Sequence, residues 1–307
     1  MKTPGLGDIA AAAQRISGHI HRTPVMTSAS LNEAVGAELF FKCENFQRTG
    51  SFKLRGAMNA TLQLSQDVST VVTHSSGNHG AALAFAARAC GKTAMVVVPK
   101  DARPEKRLAI ERLGAEVVDC GEKLADREAV LAEVMASQPE AVFVPPYDHA
   151  EIIAGQGTAA FELLEEVGDL DQLWVPVGGG GLAAGTTIVA NGQIDVICAE
   201  PELARDAHDS LAMGDLQPAM PPHTVADGLR TALGKLNFEI LRQNRVAVVL
   251  VDDEAILRAM GLIWNRLKIV VEPSAAVCLA AMLLDPQRVA KRAGIILSGG
   301  NISPPKP

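Results

Sequence analysis

Short apolar runs rich in β-branched residues recur along the chain at 68–73, 94–98, 141–144, 173–177, 194–199, 246–251 and 295–297. Several show no polar alternation, which is the pattern of strands buried on both faces. Between them lie stretches rich in Ala, Leu, Glu and Arg with helical spacing, at 54–64, 80–89, 104–113, 124–136, 154–165, 181–190 and 254–267. Strand and helix in alternation predict an α/β architecture of open, mainly parallel sheets flanked by helices. In such sheets ligands sit where loops leave the carboxyl ends of strands, so the chemistry is expected just after the apolar runs. Neither an internal repeat nor a Ser/Gly-rich linker interrupts the pattern, so any two domains are packed together and not tethered.

Composition narrows this picture. A chain of 307 residues is long enough for about two domains, and 48% hydrophobic content supplies a sizeable core. Aromatics make up only 4%, so that core is built from Ala, Val, Leu and Ile. Lys+Arg 28 against Asp+Glu 35 gives a net charge of −7 with no basic run, which argues against a nucleic-acid partner. Asp8 interrupts the short apolar N-terminal stretch, so no signal peptide is expected. Aliphatic runs such as 246–251 fall far below the roughly 20 residues of a membrane span. Cysteines 43, 90, 120, 198 and 278 are odd in number and contain no C-x-x-C, which fits reduced thiols in a cytoplasmic protein.

Four loops carry candidate chemistry. The first is Thr49-Gly50-Ser51-Phe52-Lys53-Leu54-Arg55-Gly56. Lys53 opens a helix there, where the positive end of the dipole lowers the ammonium pKa and favours the free amine needed for covalent chemistry with carbonyls. A solvated surface lysine is the plain alternative. The second, Thr73-His74-Ser75-Ser76-Gly77-Asn78-His79-Gly80, follows a strand and precedes a helix. Its backbone N–H groups suit a carboxylate, and the Asn78 amide suits a ring oxygen; the alternative is N-capping by Ser75 or Ser76.

The third loop is Gly178-Gly179-Gly180-Gly181, between a strand and a helix. Four glycines admit close approach, and their N–H groups with the helix dipole form a phosphate cup. The same stretch also fits the dinucleotide fingerprint G-x-G-x-x-A from Gly178 to Ala183, with Glu200 in the place of a ribose-binding acid. That reading makes the chain an NAD-dependent oxidoreductase and leaves the other loops unexplained. The fourth, Ser298-Gly299-Gly300-Asn301, follows the last strand; Ser298 suits a heterocyclic nitrogen, though a plain turn reads equally well.

Taken in order, S-F-K-x-R-G, S-S-G-N-H-G, G-G-G-G and S-G-G-N resemble the fold-type II pyridoxal-phosphate enzymes, the tryptophan synthase β-like group. Within that group the chain is most similar to the serine racemases, serine/threonine dehydratases and 3-hydroxyaspartate dehydratases, from about residue 9 to 301. The resemblance implies that Lys53 binds pyridoxal 5'-phosphate covalently and that Phe52 packs beside its ring. It puts Asn78 on the ring oxygen, Gly178, Gly179, Gly180 and Gly181 around the phosphate, and Ser298 on the ring nitrogen. Ser75, Ser76, Gly77, Asn78 and His79 would surround the substrate carboxylate. Serine at 76 matches the racemases, where it would face the ring opposite Lys53 and serve as a second base; the hydroxyaspartate dehydratases resemble the same pattern, so it permits racemisation without requiring it.

Glu200, Ala204 and Asp206 match the family's divalent-cation site, two carboxylates and a backbone carbonyl; such all-oxygen ligands suit Mg²⁺, with Ca²⁺ or Mn²⁺ as alternatives. Two acids in a surface turn are the bland alternative. The chain departs from the family at Ala81, often glutamine, and at Pro145-Pro146-Tyr147, a stretch near the substrate side chain. The resemblance therefore implies a dehydratase that releases ammonia and a 2-oxo acid from a small L-3-hydroxy amino acid. The alternative within the family is a racemase; outside it stand the oxidoreductase and a ligand-binding protein without turnover. A second substrate carboxylate would draw on Arg48, His79, His149 or Arg230. The implied architecture is a large domain (1–47 and 146–307) and a small one (48–145) that closes over the cofactor, in a homodimer. The chain ends soon after Asn301, so no regulatory domain is expected.

Overall fold

The computed structural model describes residues 2–75, 77–122, 124–219 and 223–303. In chain order its elements begin with α1 (Leu6–Ile16), β1 (Val25–Met26), α2 (Ala29–Val35), β2 (Glu38–Cys43), α3 (Lys53–Leu62), β3 (Thr70–His74), α4 (Asn78–Ala89) and β4 (Thr93–Pro99). There follow α5 (Pro104–Arg112), β5 (Glu116–Cys120), α6 (Leu124–Ser137), β6 (Val142–Phe143), α7 (Ala150–Val167), β7 (Gln172–Pro176), α8 (Gly181–Ala190) and β8 (Asp195–Pro201). The chain closes with α9 (Asp206–Met213), α10 (Lys235–Gln243), β9 (Ala247–Val251), α11 (Asp253–Arg266), α12 (Pro273–Leu284) and β10 (Arg292–Leu297).

The strands form two sheets. One has six strands in the order β1-β2-β10-β7-β8-β9, parallel throughout except for the short antiparallel β1. The other has four parallel strands, β5-β4-β3-β6. This is the α/β arrangement of open, mainly parallel sheets that the apolar runs predict. Because β2, β10 and β7 are parallel neighbours, the loops that follow them leave the same edge of the six-stranded sheet. The glycine loop and Ser298-Gly299-Gly300-Asn301 are two of these.

Strands β3, β4 and β6 to β10 match the seven apolar runs to within a few residues. Strands β2 and β5 escape the pattern for different reasons. Strand β2 carries Lys42, a fully buried cation in the middle of the sheet. Strand β5 is an edge with Glu116 and Asp119 exposed, so its apolar content is low. Helix α12 (PSAAVCLAAMLL) is buried on all sides from Pro273 to Met282 and so lacks an amphipathic period.

Helix α7 is the spine that sets the distance between two of the loops. A Cβ on Gly155 would lie 2.5 Å from the Gly56 Cα of α3, and one on Gly185 of α8 would lie 2.6 Å from the Gly157 nitrogen. The run I-A-G-Q-G-T thus presses α7 against α3 on one side and α8 on the other. Gln156 fixes the first crossing, its Oε1 accepting the Gly56 N–H at 3.1 Å. Since α3 begins at Lys53 and α8 at Gly181, this packing holds the lysine and the glycine loop in a fixed relation.

Candidate active site

The first and fourth loops are zipped together. Ser51 and Gly299 form an antiparallel bridge, the Phe52 N–H donates to Ser298 O at 3.0 Å, and the Gly300 N–H donates to Gly50 O at 2.9 Å. Asn301 then ties in the second loop, its Nδ2 donating to Thr49 O at 2.8 Å and to Asn78 Oδ1 at 2.9 Å. Three of the four motifs therefore share one hydrogen-bonded frame.

Lys53 stands at the start of α3 with its Nζ 5.2 Å from the Phe52 ring centre and 5.8 Å from that of Tyr147. The amine donates to Pro146 O at 2.8 Å. Burial pushes its pKa down to about 8. The helix start is where the sequence puts it, but loss of water around the ammonium, not the helix dipole, dominates the shift. The neutral amine is accordingly accessible near physiological pH.

Tyr147 links Lys53 to the glycine loop. A Cβ on Gly179 would fall 2.3 Å from the Tyr147 ring, and one on Gly181 would fall 3.0 Å from Tyr147 O. Gly180 has φ +88, left-handed backbone, and a Cβ there would meet Leu233 at 2.6 Å. The N–H groups of residues 178–181 find no acceptor among the described residues, and they open α8, whose dipole adds positive potential. Asn237 secures the loop from behind, its Nδ2 donating to Gly179 O at 2.6 Å. Asp148 in turn caps α10, accepting from the backbone N–H groups of Lys235 and Leu236 at 3.1 and 3.0 Å. Such a cradle could hold a phosphate, with a lysine and two aromatic rings at its side.

The second loop is built differently from a capped helix. Gly77 occupies the N-cap of α4 with no side-chain cap, and the Ser75 hydroxyl instead accepts the Gly77 N–H at 3.1 Å. The N–H groups of residues 78–80 find no acceptor among the described residues, which leaves an anion site at the helix start. Ser76, the expected second base, lies outside the described residues. His79 is buried, with Nε2 3.2 Å from Val144 O and Nδ1 unpartnered. Burial and then the nearby Lys53 push its pKa down to about 3. The ring is neutral with its proton on Nε2, facing the carbonyl, so Nδ1 is an acceptor. It suits an ammonium or hydroxyl better than the carboxylate expected for it.

The other residues considered for a second carboxylate are placed as follows. His149 Nδ1 accepts the Glu151 N–H as the N-cap of α7. Arg230 donates to Thr224 O, and Arg48 is exposed. Ser298 is buried within the zipped frame.

Four residues were missed by sequence reasoning. Asn78 Nδ2 donates to Glu272 Oε1 at 2.6 Å, and Lys106 Nζ lies 2.7 Å from Asp227 Oδ2 and 3.5 Å from Glu272 Oε2. Lys106 reads as one charge among several on P-E-K-R-L, and Asp227 sits in a 3-10 turn outside the apolar runs. Glu272 carries one weak signal, a lone acid in the apolar run before Pro273. The fourth, Asn237, is one polar residue on an amphipathic helix.

Glu200 stands at the carboxyl end of β8, with Ala204 and Asp206 in the turn and helix that follow it. Glu200 is fully buried and its two oxygens accept the N–H groups of Ala207 and His208 at 2.9 and 2.8 Å. Asp206 Oδ2 accepts the Leu233 N–H at 2.7 Å. Burial pushes Glu200 up to about 9 and Asp206 up to about 6. Both carboxyls are thus held by neutral donors alone, a donor set that fits a hard cation with oxygen ligands.

A family profile described as pyridoxal-phosphate dependent enzyme matches residues 16–299. The chain is 46% identical to a serine racemase of Dictyostelium discoideum, over 98% of this chain and 96% of that protein. It is 44% identical to a beta-hydroxyaspartate dehydratase of Paracoccus denitrificans, over 98% of each chain. Among solved structures, a threonine deaminase from T.th. superposes with a TM-score of 0.93 at 41% identity, covering 98% of this chain and 100% of that one.

Proposed function

The chain belongs to the pyridoxal-phosphate dependent enzyme family, and from that premise we propose that it is an ammonia-lyase acting as a hydroxy amino acid dehydratase. It would convert a small L-3-hydroxy amino acid (serine, threonine or 3-hydroxyaspartate) to a 2-oxo acid and ammonia by α,β-elimination. The observation that carries this reading is the frame in which Lys53, at a depressed pKa, stands beside the glycine cradle and the zipped loops of Asn78 and Ser298. The names of the relatives, a hydroxyaspartate dehydratase and a threonine deaminase among them, support the same chemistry.

Pyridoxal phosphate, when bound, supplies the electron sink that loosens the α-hydrogen of the substrate. The protein supplies the rest. Gly178, Gly179, Gly180 and Gly181 hold the phosphate with free N–H groups. Phe52 flanks the ring, Asn78 serves the ring oxygen, and Ser298 serves the ring nitrogen. A serine hydroxyl is too weak an acid to protonate that nitrogen, which favours prompt loss of the β-hydroxyl. Ser75, Ser76, Gly77, Asn78 and His79 surround the substrate, with the carboxylate on the N–H groups that open α4. Lys53 takes the α-proton in its neutral form. The unit of residues 48–145 closes on the rest of the chain and excludes water.

Glu200, Asp206 and the Ala204 carbonyl hold a divalent cation, Mg²⁺ first. The enzyme is a homodimer; Phe46 and Val270 are both exposed apolar residues that a partner subunit could cover, and Asn45, next to Phe46, donates from Nδ2 to Val270 O. Five unpaired cysteines support a reducing compartment, the cytoplasm. No helix among the described residues is long and apolar enough to cross a membrane.

A second reading, amino acid racemisation, is favoured by the serine at 76 and by the name of the Dictyostelium discoideum relative. Product analysis separates the two. Purified protein with pyridoxal phosphate is given L-serine, L-threonine and the 3-hydroxyaspartate isomers in turn. A dehydratase yields pyruvate, 2-oxobutanoate or oxaloacetate; a racemase yields D-serine, and Ser76→Ala abolishes it. Lys53→Ala is expected to lose the visible absorbance of bound cofactor and at least about 10³-fold in turnover. Turnover that survives in Lys53→Ala would sink the proposal.

A further inference from the structure

Helix α5 carries a lysine to which the cofactor reading gives no role. Lys106 is 7% exposed, and its stem lies against the second loop, where a Cβ on Gly77 would fall 2.6 Å from Lys106 Cδ. Its Nζ meets Asp227 Oδ2 at 2.7 Å and Glu272 Oε2 at 3.5 Å. Helix α5 connects β4 to β5 of the four-stranded sheet. Asp227 and Glu272 belong to the other half, in the turn 227–229 and at the N-cap of α12. One ammonium therefore joins the two sheets across the site. Beyond it the bonds continue, since Glu272 Oε1 accepts from Asn78 Nδ2 and Asn78 Oδ1 accepts from Asn301.

We propose that Lys106 is a positioning residue: it clamps the two halves and, through Glu272, fixes which face of the Asn78 amide meets the cofactor ring. The cofactor half of this proposal rests on the pyridoxal-phosphate reading. An ionised Glu272 accepts, and so turns the Asn78 NH₂ toward itself and the Asn78 oxygen toward Asn301. A protonated Glu272 donates, and so attracts the Asn78 oxygen and breaks the Asn301 contact. Four groups face Glu272 or its partners: Lys106, Asp227, Asn78 and, at 3.6 Å from Asp227 on the exposed rim, Arg103. Burial raises the Glu272 pKa, Lys106 opposes that rise, and Asp227 adds to it. Without the lysine charge, the acid that orients Asn78 keeps its proton to higher pH.

The test titrates pyridoxal phosphate into protein stripped of cofactor and follows, in parallel, the pH dependence of its unfolding. Wild type is compared with Lys106→Met, Lys106→Arg and Lys106→Met/Glu272→Gln. Lys106→Met is expected to bind the cofactor roughly tenfold more weakly or worse, with part of the affinity returning as pH rises and Glu272 ionises. Lys106→Arg is expected to recover most of it. The fall of Lys106→Met stability with rising pH extends further up than in wild type, because the folded state keeps to higher pH a proton that the unfolded chain releases; this extension is the added slope. The double variant loses that slope and the pH dependence of binding. Lys106→Gln replaces the Met variant if the latter does not fold. Wild-type affinity and pH profile in Lys106→Met, or a slope added over wild type that survives in the double variant, overturns the proposal. If wild type takes up no cofactor, the site reading fails instead, and the unfolding series still decides the clamp.

Discussion

The six-stranded half of the molecule buries two pairs of carboxylates and treats them in opposite ways. Glu44 and Glu162 meet two cations. Arg55 donates two bonds to each acid, all at 2.8 Å, and Lys42 Nζ lies 2.8 Å from Glu162. Two acids and two bases leave the cluster neutral. Burial acts to raise the Glu162 pKa, but Arg55 and Lys42 outweigh it, and the net shift is downward. Glu200 and Asp206 are just as enclosed, yet among the described residues only backbone N–H groups reach them, and both are pushed upward. Hydrogen bonds from amides do not replace a counter-charge at such depth. The first cluster is complete as a structural joint between β2, α3 and α7; the second lacks a counter-charge, which fits the cation proposed for it.

Breaking the complete cluster should have the largest effect. Arg55→Met leaves two buried carboxylates with one lysine and is expected to cost about 3–5 kcal/mol of stability, read from denaturant unfolding. Arg55 lies two residues beyond Lys53 on the same helix, so cofactor uptake should fall with it. A loss below about 1 kcal/mol would mean that the desolvation of the four charges nearly cancels their attraction, and that α3 is held by the Gly56–Gly155 crossing instead.

Much of this contrast was readable in advance on one side only. The parallel sheets, seven of the strands and the four loops follow from apolar runs and from glycine-rich turns, because burial and tight approach each leave a local mark on sequence. Glu200, Ala204 and Asp206 were singled out because their spacing matches a family pattern. Lys42, Glu44 and Glu162 leave no such mark. A buried ion pair is satisfied by residues over 100 positions away, as Arg55 is by Glu162, and each member alone looks like a surface charge. The same holds for Lys106, Asp227 and Glu272, whose meeting depends on how the two halves are packed. His79 was singled out by its motif, but the orientation of its ring depends on the Val144 carbonyl, which no motif encodes.

The incomplete pair makes a second prediction, through pH. In protein freed of divalent cations, Glu200 keeps a proton that the unfolded chain gives up, so stability should fall as pH rises from about 5 to 8. The expected loss is on the order of 3 kcal/mol. The window stops there because the Lys53 amine, lowered to about 8, contributes the opposite slope above it. Glu162 acts in the contrary sense: its contribution is present above the ordinary carboxylate range and fades only in acid. Mg²⁺ or Ca²⁺ should cancel the Glu200 slope, since the cation binds the ionised pair, and the melting temperature should rise more at pH 8 than at pH 5. A profile unchanged by either ion would remove the pair as a cation site.

The smallest effect isolates charge from hydrogen bonding. Asp206→Asn keeps an oxygen that accepts the Leu233 N–H, so the cation-free protein near pH 5 should change by less than about 1 kcal/mol. The same substitution halves the negative charge available to a cation, and hard divalent ions depend on that charge for affinity. The response to Mg²⁺ should therefore disappear while the fold is kept. If the variant retains the whole response, the ion binds elsewhere, and the raised pKa values of Glu200 and Asp206 reflect burial without function. If both stability and response are lost, the carboxylate is structural in its own right. Only a lost response with intact stability separates this pair from the Arg55 cluster, where charge and structure are inseparable.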